Sequence, residues 1–362
     1  MNKILISLLT MIFITLSSIA NADVKISGFM QHIIGMGDEV DGGVTNKFTR
    51  FSMGADTTTD NGWTVGGSFT LSVQPLLSGA SDAYLPSSNS VYIQTDMGTL
   101  TIGSTADAAT ILVPRVGAMV PGDGHDGYYV ALFDSGITAT SDTGWAEVYY
   151  AQASNRINYS LPSINGFSVS VTYTPDLSFN TSTTNARQQA DESSVHGEAV
   201  HIAAAYEVEI EGISYVVGLA SISGNSIGTA STYGANDLSV VTGGIKATMG
   251  NITLGAHAYD HGESFGRTGD AAKASDAGYT FAVEYAMGNV TVGAGYAHQE
   301  KVVGGASSNV LEDTNTYFGL GYNLGGGVNT WAQLSNMDHS DGDHATTEID
   351  PQILMAGISL GF

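Results

Sequence analysis

The chain has 362 residues, with 46 Gly, 7 Pro and no Cys, and its 35 Asp+Glu against 11 Lys+Arg give a formal charge of −24. Without cysteine there is no disulfide framework, thiolate zinc site or cysteine nucleophile, and so acidic a chain does not suit nucleic acid, whose phosphates need a basic face. Charged residues make up 13%, about half the ordinary share, while the wealth of Gly, Ser, Thr, Ala and Tyr points to many short strands joined by turns.

The first 22 residues read as a targeting segment. Lys3 supplies a positive start, and Ile4 to Leu16 form an apolar core too short to span a membrane. Ala20-Asn21-Ala22 then gives a small-x-small cleavage pattern before Asp23. The expected signal peptide is therefore 1–22 and the mature chain 23–362, a single exported unit. After Leu16 no apolar run approaches the ~18 residues that a membrane helix needs.

From there the pattern has period two. In Ser154 to Leu161, Arg156, Asn158 and Ser160 share one face, and Ile157, Tyr159 and Leu161 the other. Val169, Val171 and Tyr173 alternate with Ser168, Ser170, Thr172 and Thr174, and the same alternation recurs in Phe281-Val283-Tyr285 and Phe318-Leu320-Tyr322. One polar and one apolar face per strand fits a sandwich or a barrel.

The loops separate the two. Asn61-Gly62, Asn165-Gly166, Met249-Gly250-Asn251, Met287-Gly288-Asn289 and Gly325-Gly326-Gly327 are tight hairpin connections. Between them lie long polar stretches such as 176–194, 224–237, 262–276, 304–313 and 338–350. Short turns at one end and long loops at the other mark an outer-membrane barrel. The strands are placed at 24–35, 47–58, 63–73, 89–96, 99–104, 154–162, 166–175, 197–207, 212–221, 238–249, 251–260, 277–287, 289–299, 314–324, 327–337 and 353–362. Sixteen is an even number, as single-chain bacterial barrels require, and a barrel that wide encloses water rather than a packed core. The last strand sets Leu354, Ala356, Ile358, Leu360 and the terminal Phe362 on one face.

Asn155-Arg-Ile-Asn-Tyr-Ser-Leu-Pro-Ser-Ile-Asn-Gly-Phe167, Ile26-Ser-Gly-Phe29, Arg50-Phe-Ser-Met-Gly54, Met97-Gly-Thr-Leu-Thr-Ile-Gly103 and Tyr317-Phe-Gly-Leu-Gly-Tyr-Asn-Leu-Gly325 stand in an order and spacing that resemble the Gram-negative general porins over essentially the whole mature chain. The resemblance implies an all-β fold, a 16-stranded antiparallel transmembrane barrel whose long third loop folds inward. It also implies a homotrimer in the outer-membrane lipid, passing small hydrophilic solutes and ions by diffusion. By the same analogy residues 105–144 form the constriction loop, with Asp107, Asp123, Asp126 and Arg115 among its charges. Met119-Val-Pro-Gly-Asp-Gly124 resembles the family's loop tip, with the acid one place later than usual. Arg50 and Arg156 stand where such porins set basic residues on the facing wall. Ser104 stands where many such porins have another Arg and Phe29 where some have Lys, so the wall is poorer in positive charge than usual; against Arg50 and Arg156, the loop acids and the overall −24 imply a preference for cations.

Other motifs weigh less. Gly357-Ile-Ser-Leu-Gly361 matches G-x-S-x-G, which requires a strand–turn–helix elbow. Asp338-His-Ser-Asp-Gly-Asp-His344 lacks calcium-loop spacing and reads as a solvated acidic loop. His257 and His261 are four apart but on a strand and turn, not on a helix. No enzyme, cofactor or metal site is expected. The rival reading is an exported surface-binding or adhesin protein on a β-sandwich or solenoid, without a channel.

Overall fold

In a computed structural model the alternating segments form strands. The described residues are 22–38, 42–74, 83–122, 124, 154–177, 196–226, 236–264, 275–303, 309–341 and 352–362. Among them are β1 (Asp23–Gly37), β2 (Gly43–Thr58), β3 (Thr64–Gln74), β4 (Ala83–Thr95), β5 (Gly98–Ser104), β6 (Asn155–Ser160), β7 (Phe167–Asp176) and β8 (His196–Ile210). The second half adds β9 (Ile213–Ser226), β10 (Leu238–Met249), β11 (Ile252–Asp260), β12 (Ser275–Met287), β13 (Val290–Val303), β14 (Asn309–Gly325), β15 (Val328–Asp341) and β16 (Gln352–Gly361). A short helix, α1 (Ala108–Leu112), and a 3₁₀ turn at Gly117–Met119 follow β5.

Each strand pairs antiparallel with its chain neighbours, and β16 returns to β1, so the sheet closes into a barrel. This is neither a sandwich nor a solenoid. At the seam, Gly28 N donates to Phe362 O at 2.8 Å and Phe362 N to Gly28 O at 3.0 Å. The terminal ring lies over Gly28, where any Cβ would collide with it, so a bare glycine is covered by an aromatic from the next strand.

All tight connections fall at one rim. Asn165 (φ 51) and Gly166 (φ 84) make the hairpin between β6 and β7 with two left-handed residues, the primed turn whose twist matches its strands. Glu211 (φ 52) and Gly212 turn β8 into β9 in the same way, a turn that the dipeptide signals missed because Glu rarely takes positive φ.

The strands run past their expected ends at the opposite rim. β4 begins at Ala83, β14 at Asn309, and β13 and β15 extend to Val303 and Asp341. There Glu300 opposes Glu312, and Asp313 opposes His339. Charged and polar residues fall on both faces at these positions, so periodicity stops marking them while backbone pairing continues.

The two faces of the wall differ as a membrane barrel requires. Outward stand Leu219, Phe281, Phe318 and Ile202, each more than half exposed. On β12, Tyr279 and Tyr285 bracket Phe281 and Val283 on this face, about 20 Å apart along the strand, which suits aromatic belts at the two edges of the apolar band. Inward stand Asn158, Thr172, His201, Thr242, Gln299 and Gln333, all buried. The buried apolar clusters also lie inside, where the segment after β5 meets the wall.

Candidate functional site

Ser104 ends β5, and the chain then turns onto the inner face of the barrel. Asp107 directs that turn. Its carboxylate accepts a hydrogen bond from Thr110 N at 2.7 Å and so caps α1, satisfying an amide that the helix leaves unpaired. Its second oxygen accepts from Arg156 Nη1 of β6 at 3.4 Å, and His201 Nδ1 of β8 is 3.6 Å from it. The Asp107 and Arg156 side chains are each 1% exposed. Ala108 N donates to Thr172 Oγ1 of β7 at 2.8 Å, and Thr172 donates to Asn158 Oδ1 at 2.6 Å. The first turn of the segment is thus hydrogen-bonded to two neighbouring strands, β6 and β7, with His201 of β8 alongside.

Beyond α1 the segment crosses the inner wall strand by strand, as a strap. The Leu112 carbonyl lies over Gly218 of β9, and the Pro114 carbonyl over Gly244 of β10. Val116 and Met119 cover Gly255 of β11, and Val120 and Pro121 cover Gly293 of β13 and Gly319 of β14. A Cβ at Gly218, Gly244, Gly255 or Gly319 would run into the strap. Val116, Met119 and Val120 pack with Ala282, Ala297 and Tyr317 in one buried cluster. At β15, Gln333 holds Gly124 at both backbone atoms, accepting from its N at 2.9 Å and donating to its O at 2.8 Å.

The expected site residues fall into three groups. Asp107 and Arg156 are brought together, but in a sealed seat instead of facing open water. Arg50 lies on the inner face of β2, paired in register with Phe29 and Ser72, and Arg115 lies on the strap between α1 and the 3₁₀ turn; both are half-buried. Asp123 and Asp126 lie outside the described residues, as do 125–144, the rest of the expected constriction loop. Sequence reasoning missed Gln333, His201, Thr172 and the glycines under the strap. Their one visible signal was position, since all occupy the inward parity of their strands.

The G-x-S-x-G match falls in the middle of β16. Ser359 pairs in register with Gln31 and Asn329, and Gly357 packs beneath Trp331; a strand interior is not the strand–turn–helix elbow that the motif requires. Among the described residues no group of three or more His, Asp or Glu is placed to hold a metal ion.

Solved structures share this architecture. The anion-selective porin from Comamonas acidovorans matches with a TM-score of 0.63 at 17% identity, over 94% of this chain and 100% of that one. OmpT of Vibrio cholerae, an outer membrane protein described in its trimer form, gives 0.61 at 12% identity, over 94% and 99%. A mutant of the Rh. blastica porin gives 0.59 at 16%, over 94% and 100%. Identities this low speak for the fold alone. No curated protein matches the sequence. The family model for Gram-negative porins matches residues 8–342, nearly the entire barrel, and on that match the chain belongs to the Gram-negative porin family.

Proposed function

We propose that the protein is a water-filled channel of the outer membrane for passive diffusion of small hydrophilic solutes and ions, narrowed by the loop from about Thr105 to Gly144 and preferring cations. The observation that carries this reading is the course of the strap. It hugs the inner wall from the Asp107 seat at β7 to Gln333 on β15, and in this reading the passage runs between it and the wall of β16 and β1–β5. In this reading that wall contributes hydroxyls such as Ser52, Thr70 and Thr101, together with Arg50. A polar lining with charges at its narrowest point selects by size and sign without any chemical step.

Cation preference is supported by where the positive charges go. Arg156 is neutralised by Asp107 inside the seat, and Lys25 lies 3.3 Å from Asp56. Asp123 and Asp126, flanking the strap's far end in sequence, supply the opposing carboxylates in this reading, with Asp107 and Arg156 acting through the seat and Arg50 and Arg115 at the passage.

The homotrimer is supported by a depression of about 520 Å³ on the outward face of β1–β5, lined by Val24, Met53, Gly67, Phe69, Asn89 and Ile102 among others. A carboxamide there fits a protein neighbour better than hydrocarbon, which leaves it without a partner. Residues 1–22 are removed on export in this reading.

Planar-bilayer recording on the refolded barrel, with a salt gradient, tests it. Discrete steps with a cation-selective reversal potential are expected, weakened by Asp123→Asn and Asp126→Asn. Unchanged selectivity in both variants would remove the acids from the constriction, and a folded barrel without conductance would end the channel reading.

A further inference from the structure

We infer that Gln333 is the positioning residue that sets the inner gauge of the barrel, by clamping the far end of the strap. The inference rests on the channel reading for its consequence, not for its geometry. Gln333 projects inward from β15 and is 1% exposed. Its amide is a planar fork with one acceptor and two donors, and it uses both kinds on a single residue, Gly124, 209 residues away in the chain. A second donor contact, Nε2 to Ser335 Oγ at 2.8 Å, braces the fork from its own strand. Holding one residue at both N and O fixes the strap in rotation as well as in position.

The strap is built to receive this clamp. Gly122 has φ +114, and a Cβ there would collide with the Gln333 side chain. The positive φ and the close approach both demand glycine. The near end is fixed by the Asp107–Arg156 pair and Thr172, the far end by the Gln333 fork. Asp123 lies between the two clamped glycines and Asp126 two residues beyond.

Other side chains fail in defined ways. Glu keeps the acceptor but turns a carboxylate toward the Gly124 carbonyl. Asn is one methylene short. Met fills the same volume without either hydrogen bond. With two buried hydrogen bonds gone, the ratio of seated to unseated strap falls by about tenfold to a hundredfold.

The test uses the full chain and two readouts. As the protein has no cysteine, Val120→Cys places a unique thiol in the buried seat beside β13 and β14. Its labelling rate by a membrane-impermeant maleimide follows the opening of the strap. Gln333→Met is expected to raise that rate at least tenfold while the barrel keeps its heat-modifiable mobility. In bilayers the same substitution, without the cysteine, is expected to add conductance levels and to shift the reversal potential. Gly122→Ala disturbs the clamp from the strap side and gives the same two effects even where Gln333→Met fails to assemble. An unchanged labelling rate in the variants that fold overturns the clamp. Faster labelling in a barrel that never conducts confirms the clamp and removes the channel reading instead.

Discussion

Asp107 and Arg156 stand 49 residues apart in the chain and meet at 3.4 Å in a seat that water does not reach. Both carry charges that a linear reading assigns to the passage, yet each neutralises the other at the root of the strap. A buried pair of this kind is a weak source of net stability, but losing one member leaves a charge stranded.

That asymmetry gives a first prediction. Arg156→Met strands the Asp107 carboxylate, at a cost on the order of 3–5 kcal/mol, read as a lower temperature for heat-induced mobility change. Asp107→Ser retains an N-cap, so the double variant Asp107→Ser with Arg156→Met recovers most of the loss. A double variant no more stable than Arg156→Met alone would show that the pair is not what holds the seat.

The glycine seat gives a second. Gly244→Ala and Gly319→Ala each put a methyl group against a strap carbonyl, so the strap moves off the wall and into the passage. Single-channel conductance is expected to fall in both. Gly54→Ala is the control, because a Cβ there meets only Gly67 O at 3.5 Å and Ser68 Cβ at 3.6 Å, ordinary contact distances. Equal conductance in all three would mean that the strap does not limit flow.

Why these glycines escaped sequence reading is a matter of dimension. Alternation in Phe318-Gly319-Leu320-Gly321-Tyr322 shows which side faces lipid, because Phe318 and Leu320 must be apolar there. It says nothing about what lies opposite Gly319, since the partner, Pro121, is 198 positions earlier. Gln333 looks the same in sequence as Asn158 or Gln299, further inward amides on other strands. The sign of Asp107 and Arg156 was legible and their burial was not, because burial depends on a segment from elsewhere covering them. The barrel itself was legible throughout, since one buried face and one lipid face constrain every second residue. Only the strand ends beyond the membrane, such as Glu300 opposite Glu312, lost that constraint.

The outward depression gives a third prediction. Asn89→Leu removes the carboxamide and suits lipid, whereas Gly67→Trp fills the floor of the groove that a neighbouring copy would occupy. On semi-native gels Gly67→Trp is expected to shift the protein toward monomer while the barrel stays heat-modifiable. Trimers that persist in Gly67→Trp would move the contact face elsewhere on the wall.

Selectivity gives the last, by setting Arg50 against Arg156. Both are arginines on the inward face of the barrel, on β2 and β6, but they differ in burial. Arg50 is half-buried on the inner face of β2. Arg156 lies in a sealed seat against an equal and opposite charge. A neutralised pair projects little field into a water-filled passage, where ions at physiological salt screen charges within about 8 Å. Arg50→Gln is therefore expected to move the reversal potential further toward cations. The double variant Asp107→Ser with Arg156→Met, which removes one charge of each sign, is expected to leave it where it was. A larger shift from the double variant than from Arg50→Gln would place the controlling charge at the root of the strap and not on β2.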